Sequence, residues 1–295
     1  KTITDGDTMT MALQSGELDA AYGLPYASLS LFVNEPYTIS SCETSRSFFA
    51  QMNYSTEALQ DDKVRAAIAG AIDKDNFTSV LLDGNGTPAV GPFPASFTFG
   101  DETVTDEKYD PDHAKELLKE AGWTDTDGDG YVDKNGQKLS IRWVTYPSRQ
   151  ELPLLAESVQ ATMKDIGIEV QVNSTANYQD YLDKGDWDIF AGAFVSAPTG
   201  DPEYFFTTHC LDSSTKNRGG YHSDQLENLE KQMAVTFDPA ERATLATQMT
   251  QTILDDHAFV FASHLKMSMV SGKGVSGLVA HPSDYYEITV DLDKE

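Results

Sequence analysis

Residues 139–194 read LSIRWVTYPSRQELPLLAESVQATMKDIGIEVQVNSTANYQDYLDKGDWDIFAGAF, and this stretch decides the fold class. Apolar runs at residues 139–146, 168–173 and 187–194 alternate with amphipathic segments at residues 150–165 and 177–184, a β-α-β-α-β pattern. Gly167 and Gly185 stand where the two helices must stop. Crossovers of this kind predict a parallel sheet with right-handed connections. In the first helix Leu155, Val159 and Met163 recur at four-residue spacing, so they form one stripe against the sheet while Glu157, Gln160 and Lys164 face water.

Working outward, Asp110-Pro111 and Asp238-Pro239-Ala240-Glu241 are helix starts. An Asp side chain accepts the orphan amide hydrogens there, proline tolerates the first helical position, and Glu241 can complete a capping box. Residues 62–72 have helical composition, and no internal repeat stands out. The fold class expected is α/β.

Composition narrows the function. The 295 residues carry 21 Lys+Arg against 47 Asp+Glu, a formal net charge of −26, with no basic run. A nucleic-acid partner needs such a run to displace counterions from phosphates, so it is excluded, and anionic membranes are disfavoured for the same reason. With 40% hydrophobic residues the chain can bury a core, so the charge belongs to a solvated surface. The apolar runs, such as residues 258–262, fall far short of a membrane span. The opening KTITDG has no apolar signal region, and the chain is read as a fragment from which a signal peptide or upstream domain has been removed. Cys42 and Cys210 are too far apart for a metal knuckle or a redox pair, which leaves one long-range disulfide or two thiols.

The motifs that carry chemistry are few. Asp125, Asp127, Asp129 and Asp133 occupy positions 1, 3, 5 and 9 of a calcium-loop template with Gly130 at position 6, so a structural calcium is one expectation. Position 12 is Gly136 instead of the closing Glu, and the alternative is an Asp/Gly turn leading into a hairpin. No Gly-x-Ser-x-Gly elbow or His-Glu-x-x-His motif occurs. His113, His257 and His281 read as ordinary helix or loop residues. His209 and His222 flank residues 210–220, whose Ser, Thr, Lys, Asn and Gly-Gly suit a mobile ligand-covering loop.

Several stretches together resemble the family 5 solute-binding proteins of ATP-driven importers for dipeptides, oligopeptides and nickel. They are ALQSGELD at 12–19, DKVRAAI at 62–68 with AIDK at 71–74, residues 114–123 with the Asp/Gly turn, GDWDI at 185–189, Asp201-Pro202, and residues 238–242. The resemblance implies a periplasmic-binding-protein-like fold, type II, cluster C, of two lobes closing around a ligand. Residues 1–43 then end an excursion of the first lobe, residues 44–263 make the second lobe with its β-α-β-α-β core, and residues 264–295 return to the first. It also implies an extracytoplasmic monomer, without a required cofactor, that delivers its ligand to the membrane subunits of the importer.

Departures from the family sharpen the ligand. Dipeptide-binding members resemble this chain but hold the peptide carboxylate with an Arg where Tyr146 stands, and the amino group with an Asp where Pro198 stands. The stretch APTGDP at 197–202 looks more like the nickel-binding branch, in which a loop His ligates nickel held by a small chelator. The resemblance thus implies a nickel–chelator ligand, with Tyr146, Phe194, Pro198 and Thr199 as a wall, Arg149 on ligand carboxylates, and His209, or else His222, on the metal. Asp201 is expected to cap the helix that follows. The alternatives are a dipeptide or oligopeptide ligand and, remotely, a metal-dependent hydrolase built on His209 and His222.

Overall fold

The computed structural model describes residues 1–3, 5–285 and 288–295. In chain order its main sheet contains β1 (Ala20–Tyr22), β2 (Thr38–Met52), β3 (Gly86–Pro88), β4 (Ser140–Thr145), β5 (Glu169–Ser174), β6 (Ile189–Val195) and β7 (Phe259–Ser271). The principal helices are α1 (Gly6–Gln14), α2 (Asp62–Gly70), α3 (Pro111–Glu120), α4 (Glu151–Asp165), α5 (Tyr178–Lys184), α6 (Glu203–His209), α7 (Asp224–Met233) and α8 (Pro239–Asp255).

The β-α-β-α-β unit forms as the sequence predicts. β4 pairs in parallel with β5, from Ser140 opposite Glu169 to Thr145 opposite Ser174, and in parallel with β6 at Trp143–Ile189 and Val144–Phe190. α4 buries Leu155, Val159 and Met163 and leaves Glu157, Gln160 and Lys164 exposed. Gly185 ends α5 with φ 71°, a left-handed conformation that a side chain would strain. Asp110 and Asp238 cap α3 and α8 by accepting amide hydrogens, and proline follows each cap.

The crossover strands are parallel as expected, and the strands added to them make the whole sheet mixed. Its order is β1-β7-β2-β6-β4-β5, with β3 also on β7, and β2 runs antiparallel to both β6 and β7. β2 and β7 escape a periodicity search because both faces of their central stretches are covered, so buried residues follow one another without alternation. Phe48, Ala50 and Met52 face the core under α2, α3 and α4, together with Trp143, Leu155 and Ile189. Phe49 faces the opposite core with Phe205, Phe206, Phe259 and Met249 from α6, β7 and α8. Each such large apolar side chain contributes about 1.5–3 kcal/mol on burial.

A separate small core gathers Leu13, Ala21, Leu24, Phe32 and Val270. β2 and β7 run unbroken between it and the larger body, and their register shifts between Glu43 and Ser47. Cys42 and Cys210 are not joined. Cys42 lies on β2 opposite Met267, whereas Cys210 is buried just after α6 in the Phe49 core, so of the two expectations the pair of thiols holds. Among the described residues no helix is long and apolar enough to cross a membrane.

Candidate functional site

Open α/β sheets bind ligands beyond the carboxyl ends of their parallel strands. Here β4 ends at Thr145 and β6 at Val195, which brings Tyr146 and the turn at residues 196–200 to one end of the sheet. The Tyr146 hydroxyl accepts a hydrogen bond from the Ala193 amide at 3.0 Å, continuing the contact between the two strands where their ladder stops. Its ring lies 4.9 Å from Tyr178 of α5, and Tyr178 stacks on Phe190 at 5.4 Å and 17°. Burial pushes the Tyr146 phenol up, so it stays protonated and neutral.

Phe194 lies on the same face of β6 as Phe190, with Gly192 between them. A Cβ on Gly192 would stand 2.8 Å from the Phe194 ring and 3.3 Å from the Phe190 ring, so this glycine lets both rings lie back over the strand. Pro198 is half-buried and Thr199 exposed in a turn closed by the Gly200 amide donating to the Ala197 carbonyl at 3.1 Å. Asp201 accepts from the Glu203 amide at 2.9 Å, the capping role expected of it, and is gripped by Arg242 at 2.7 and 2.8 Å. Arg149 borders a cavity of about 90 Å³ with Tyr26, Glu151, Met267 and Ser268. Burial raises Glu151, against the opposing charges of Arg149 and Arg46.

His209 is not in a loop. It ends α6 and is 1% exposed, ringed by Phe49, Phe194 and Phe205 at 5.3, 4.8 and 5.2 Å. Burial first, then the charges of Lys216 and Arg218, hold its imidazole down to about 3, so it is neutral at physiological pH. Its Nδ1 is 3.4 Å from the Gln51 amide nitrogen, whose hydrogen it accepts. His222 is elsewhere in character. Its side chain is 56% exposed and lies between Asp212 at 3.0 Å and Asp224 at 3.5 Å, which raise its pKa.

Residues 210–220 are tied to their surroundings by several hydrogen bonds. Ser214 Oγ donates to the Thr207 carbonyl at 2.7 Å, and Asn217 Nδ2 donates to the Tyr221 carbonyl at 2.7 Å while its Oδ1 accepts the Tyr221 amide. Gly219 is pressed so close to β2 that a Cβ would fall 1.9 Å from the Met52 carbonyl oxygen. Sequence reasoning passed over the two cations this loop delivers: Lys216 Nζ stands 4.7 Å above the Phe194 ring and the Arg218 guanidinium 4.8 Å above Phe190. The available signal was two positive residues separated by one position in a strongly acidic chain.

The acidic loop only partly assembles. Asp125, Asp127 and Asp133 bring oxygens within 4.8 Å of one another, but Asp129 turns away to Lys138 at 2.7 Å. Asp125 accepts the Gly128 and Gly130 amides, Asp133 accepts from Thr126, and a short hairpin, 133–138, follows.

Residues 1–217 match the family described as bacterial extracellular solute-binding proteins, family 5 Middle. The chain belongs to this family. Among family 5 relatives, the oligopeptide-binding protein AppA of Bacillus subtilis is 28% identical over 300 residues, 98% of this chain and 54% of AppA. The nickel-binding protein NikA of Staphylococcus aureus is 24% identical over 285 residues, 96% of this chain and 56% of NikA. The chain therefore spans about half the length of the curated relatives it matches. AppA in complex with a nonapeptide superposes with a TM-score of 0.84 at 24% identity, covering 97% of this chain and 58% of AppA. NikA from Brucella suis in complex with Fe(III)-EDTA superposes with a TM-score of 0.88 at 22% identity, covering 100% and 61%. These likenesses establish the periplasmic-binding-protein-like fold.

Proposed function

We propose that this family 5 chain is the larger part of an extracytoplasmic, monomeric solute-binding protein that delivers short peptides to the membrane subunits of an ATP-driven importer. Binding, not catalysis, is its role, and no cofactor enters this reading. Residues 44–263 act as the second lobe, residues 1–43 and 264–295 belong to the first, and the ligand lies against the end of the sheet where Tyr146, Phe194, Pro198 and Thr199 stand. The observation that carries the peptide reading is the burial of His209, 1% exposed among aromatic rings and beside two cations. A dication approaching that imidazole meets repulsion from Lys216 and Arg218 and has no exposed nitrogen to bind, whereas a peptide finds apolar rings and positive charge together. AppA, the oligopeptide binder, supports the same reading across nearly the whole chain.

The second reading is a nickel chelate, supported by the relative NikA and by the carboxylates such a chelator brings, which Arg149 would meet. Calorimetric titration of the full-length, metal-free protein separates the two. Saturable heat with a defined oligopeptide series and none with nickel plus excess histidine is expected. Nickel–histidine heat that vanishes in His209→Ala would replace the peptide reading with the chelate one.

A further inference from the structure

Four arginines of this chain, Arg46, Arg65, Arg142 and Arg242, each hold a carboxylate within 3.0 Å. Lys216 and Arg218 enter no ion pair among the described residues, although the chain carries an excess of 26 negative charges. Arg218 is a charged neighbour of Lys216, and the carboxylate that acts on Arg218 is Asp183, near the end of α5. Their positions are fixed by the backbone. The Lys216 amide donates to the Thr208 carbonyl at 3.1 Å, the Arg218 amide to Gln51 Oε1 at 3.3 Å, and Gly219 abuts Met52.

Both cations lie over aromatic faces, Lys216 on Phe194 and Arg218 on Phe190, with the Tyr178 hydroxyl also bonded to Arg218. Ring quadrupoles offset part of the repulsion between two partly desolvated like charges. They do not satisfy guanidinium hydrogens. Arg218 Nη1 is buried without a hydrogen-bond acceptor among the described residues, an unfavourable condition for a charged donor. The neighbouring His209 is neutral and adds no charge. A planar carboxylate answers every part of this arrangement: two oxygens for a fork-shaped guanidinium, one negative charge between two positive ones, and an apolar or aryl neighbour for the exposed edges of Phe194 and Tyr178.

We infer that Lys216 and Arg218, held over Phe194 and Phe190, form the subsite that takes a carboxylate of the solute. This rests on the solute-binding reading above and assigns its anion contact to the loop after α6. The test uses the full-length protein and paired probes, Ala-Phe and its C-terminal amide, with Ni–histidine as the alternative source of carboxylate. The Lys216→Met, Arg218→Met double variant keeps the apolar stems over the rings. It should lose about ten- to a hundredfold in affinity for the free acid and little for the amide, the scale of one or two charge-assisted hydrogen bonds. The same selective loss on Ni–histidine would support the subsite while replacing the peptide. Unchanged affinity for the acid, or equal loss for acid and amide, would overturn it.

A second measurement needs no variant and no physiological solute. In the wild-type protein, benzoate should shift the Arg218 side-chain 15N–1H resonance saturably, and benzamide should not. If peptides and nickel–histidine both fail to bind while benzoate shifts Arg218, the subsite stands and the proposed solutes fall. No benzoate shift, whatever the peptides do, overturns the subsite.

Discussion

Asp188 and Arg142 join the amino end of β6 to β4, and cutting this pair from its two sides should give unequal damage. Asp188 is 3% exposed and accepts from the Arg142 amide at 2.7 Å, Arg142 Nε at 3.0 Å, Nη2 at 2.7 Å and Thr56 Oγ1 at 2.8 Å. The Arg142 side chain is 39% exposed and has a second carboxylate, Asp186, at 3.7 Å. Asp188→Ala removes the buried charge, leaves the Arg142 amide and the Thr56 hydroxyl without their acceptor, and leaves a cation that water and Asp186 still serve, so about 2–3 kcal/mol should be lost. Arg142→Ala leaves a buried carboxylate holding only the backbone amide and Thr56, so the loss should be about 3–5 kcal/mol.

The pH dependence separates the mechanisms. In the wild type the Arg142 bonds outweigh the cost of burial and hold Asp188 below its ordinary 3.8. Its contribution is therefore complete above 3.8 and disappears only as pH falls through the lowered folded value. In Arg142→Ala burial dominates and the carboxyl rises above 3.8, so this variant regains stability as pH falls from 7 toward 4.5. Asp188→Ala should show no such recovery. Urea unfolding of the full-length protein, followed by the buried Trp143 and Trp187, measures both. The reasoning is refuted if Arg142→Ala costs no more than Asp188→Ala, or if its deficit is the same at pH 7 and pH 4.5.

Three further outcomes are expected. Gly219→Ala places a methyl 1.9 Å from the Met52 oxygen, so the Tyr54 amide, which donates to the Gly219 carbonyl at 2.8 Å, should exchange faster by hydrogen–deuterium measurement while amides in α4 keep their rates. Proton NMR should find His209 untitrated between pH 5 and 8 and His222 titrating above 6.5; because His209 is held down, its contribution to stability is complete above 6.5 and declines as pH falls below it. Gly192→Val must displace the Phe190 and Phe194 rings, so it should weaken solute binding more than it lowers the unfolding midpoint, and an equal effect on both would show that the rings only pack.

The β-α-β-α-β core was legible because its helices each cover one face of the sheet and therefore carry a one-sided apolar stripe, as Leu155, Val159 and Met163 do. β2 and β7 were not, since covered strands lack alternation. Much of what made the family visible is scaffold: Arg65 donates to the Leu59 and Asp256 carbonyls, Asp188 anchors Arg142, and Asp201 is held by Arg242. These residues form short-range patterns that a sequence displays directly. The loop cations become meaningful only when Gln51 and Met52, more than 160 positions earlier, fix Arg218 and Gly219 in space.

The pairing of β2 with β7 bears on how this chain can be divided. Both crossings between the small Leu13–Phe32 core and the larger body travel along one hydrogen-bonded ribbon, from Thr38–Ser271 at one end to Gln51–Phe259 at the other. A cut at residues 43 and 263 would sever that ribbon mid-ladder and expose unpaired edge groups. Rotation of one part against the other must accordingly twist a two-stranded beam whose ladder is interrupted between Glu43 and Ser47 and again between Phe48 and Phe49. Such a beam stores elastic torque that a pair of slack tethers would not, so the backbone itself would resist such a rotation.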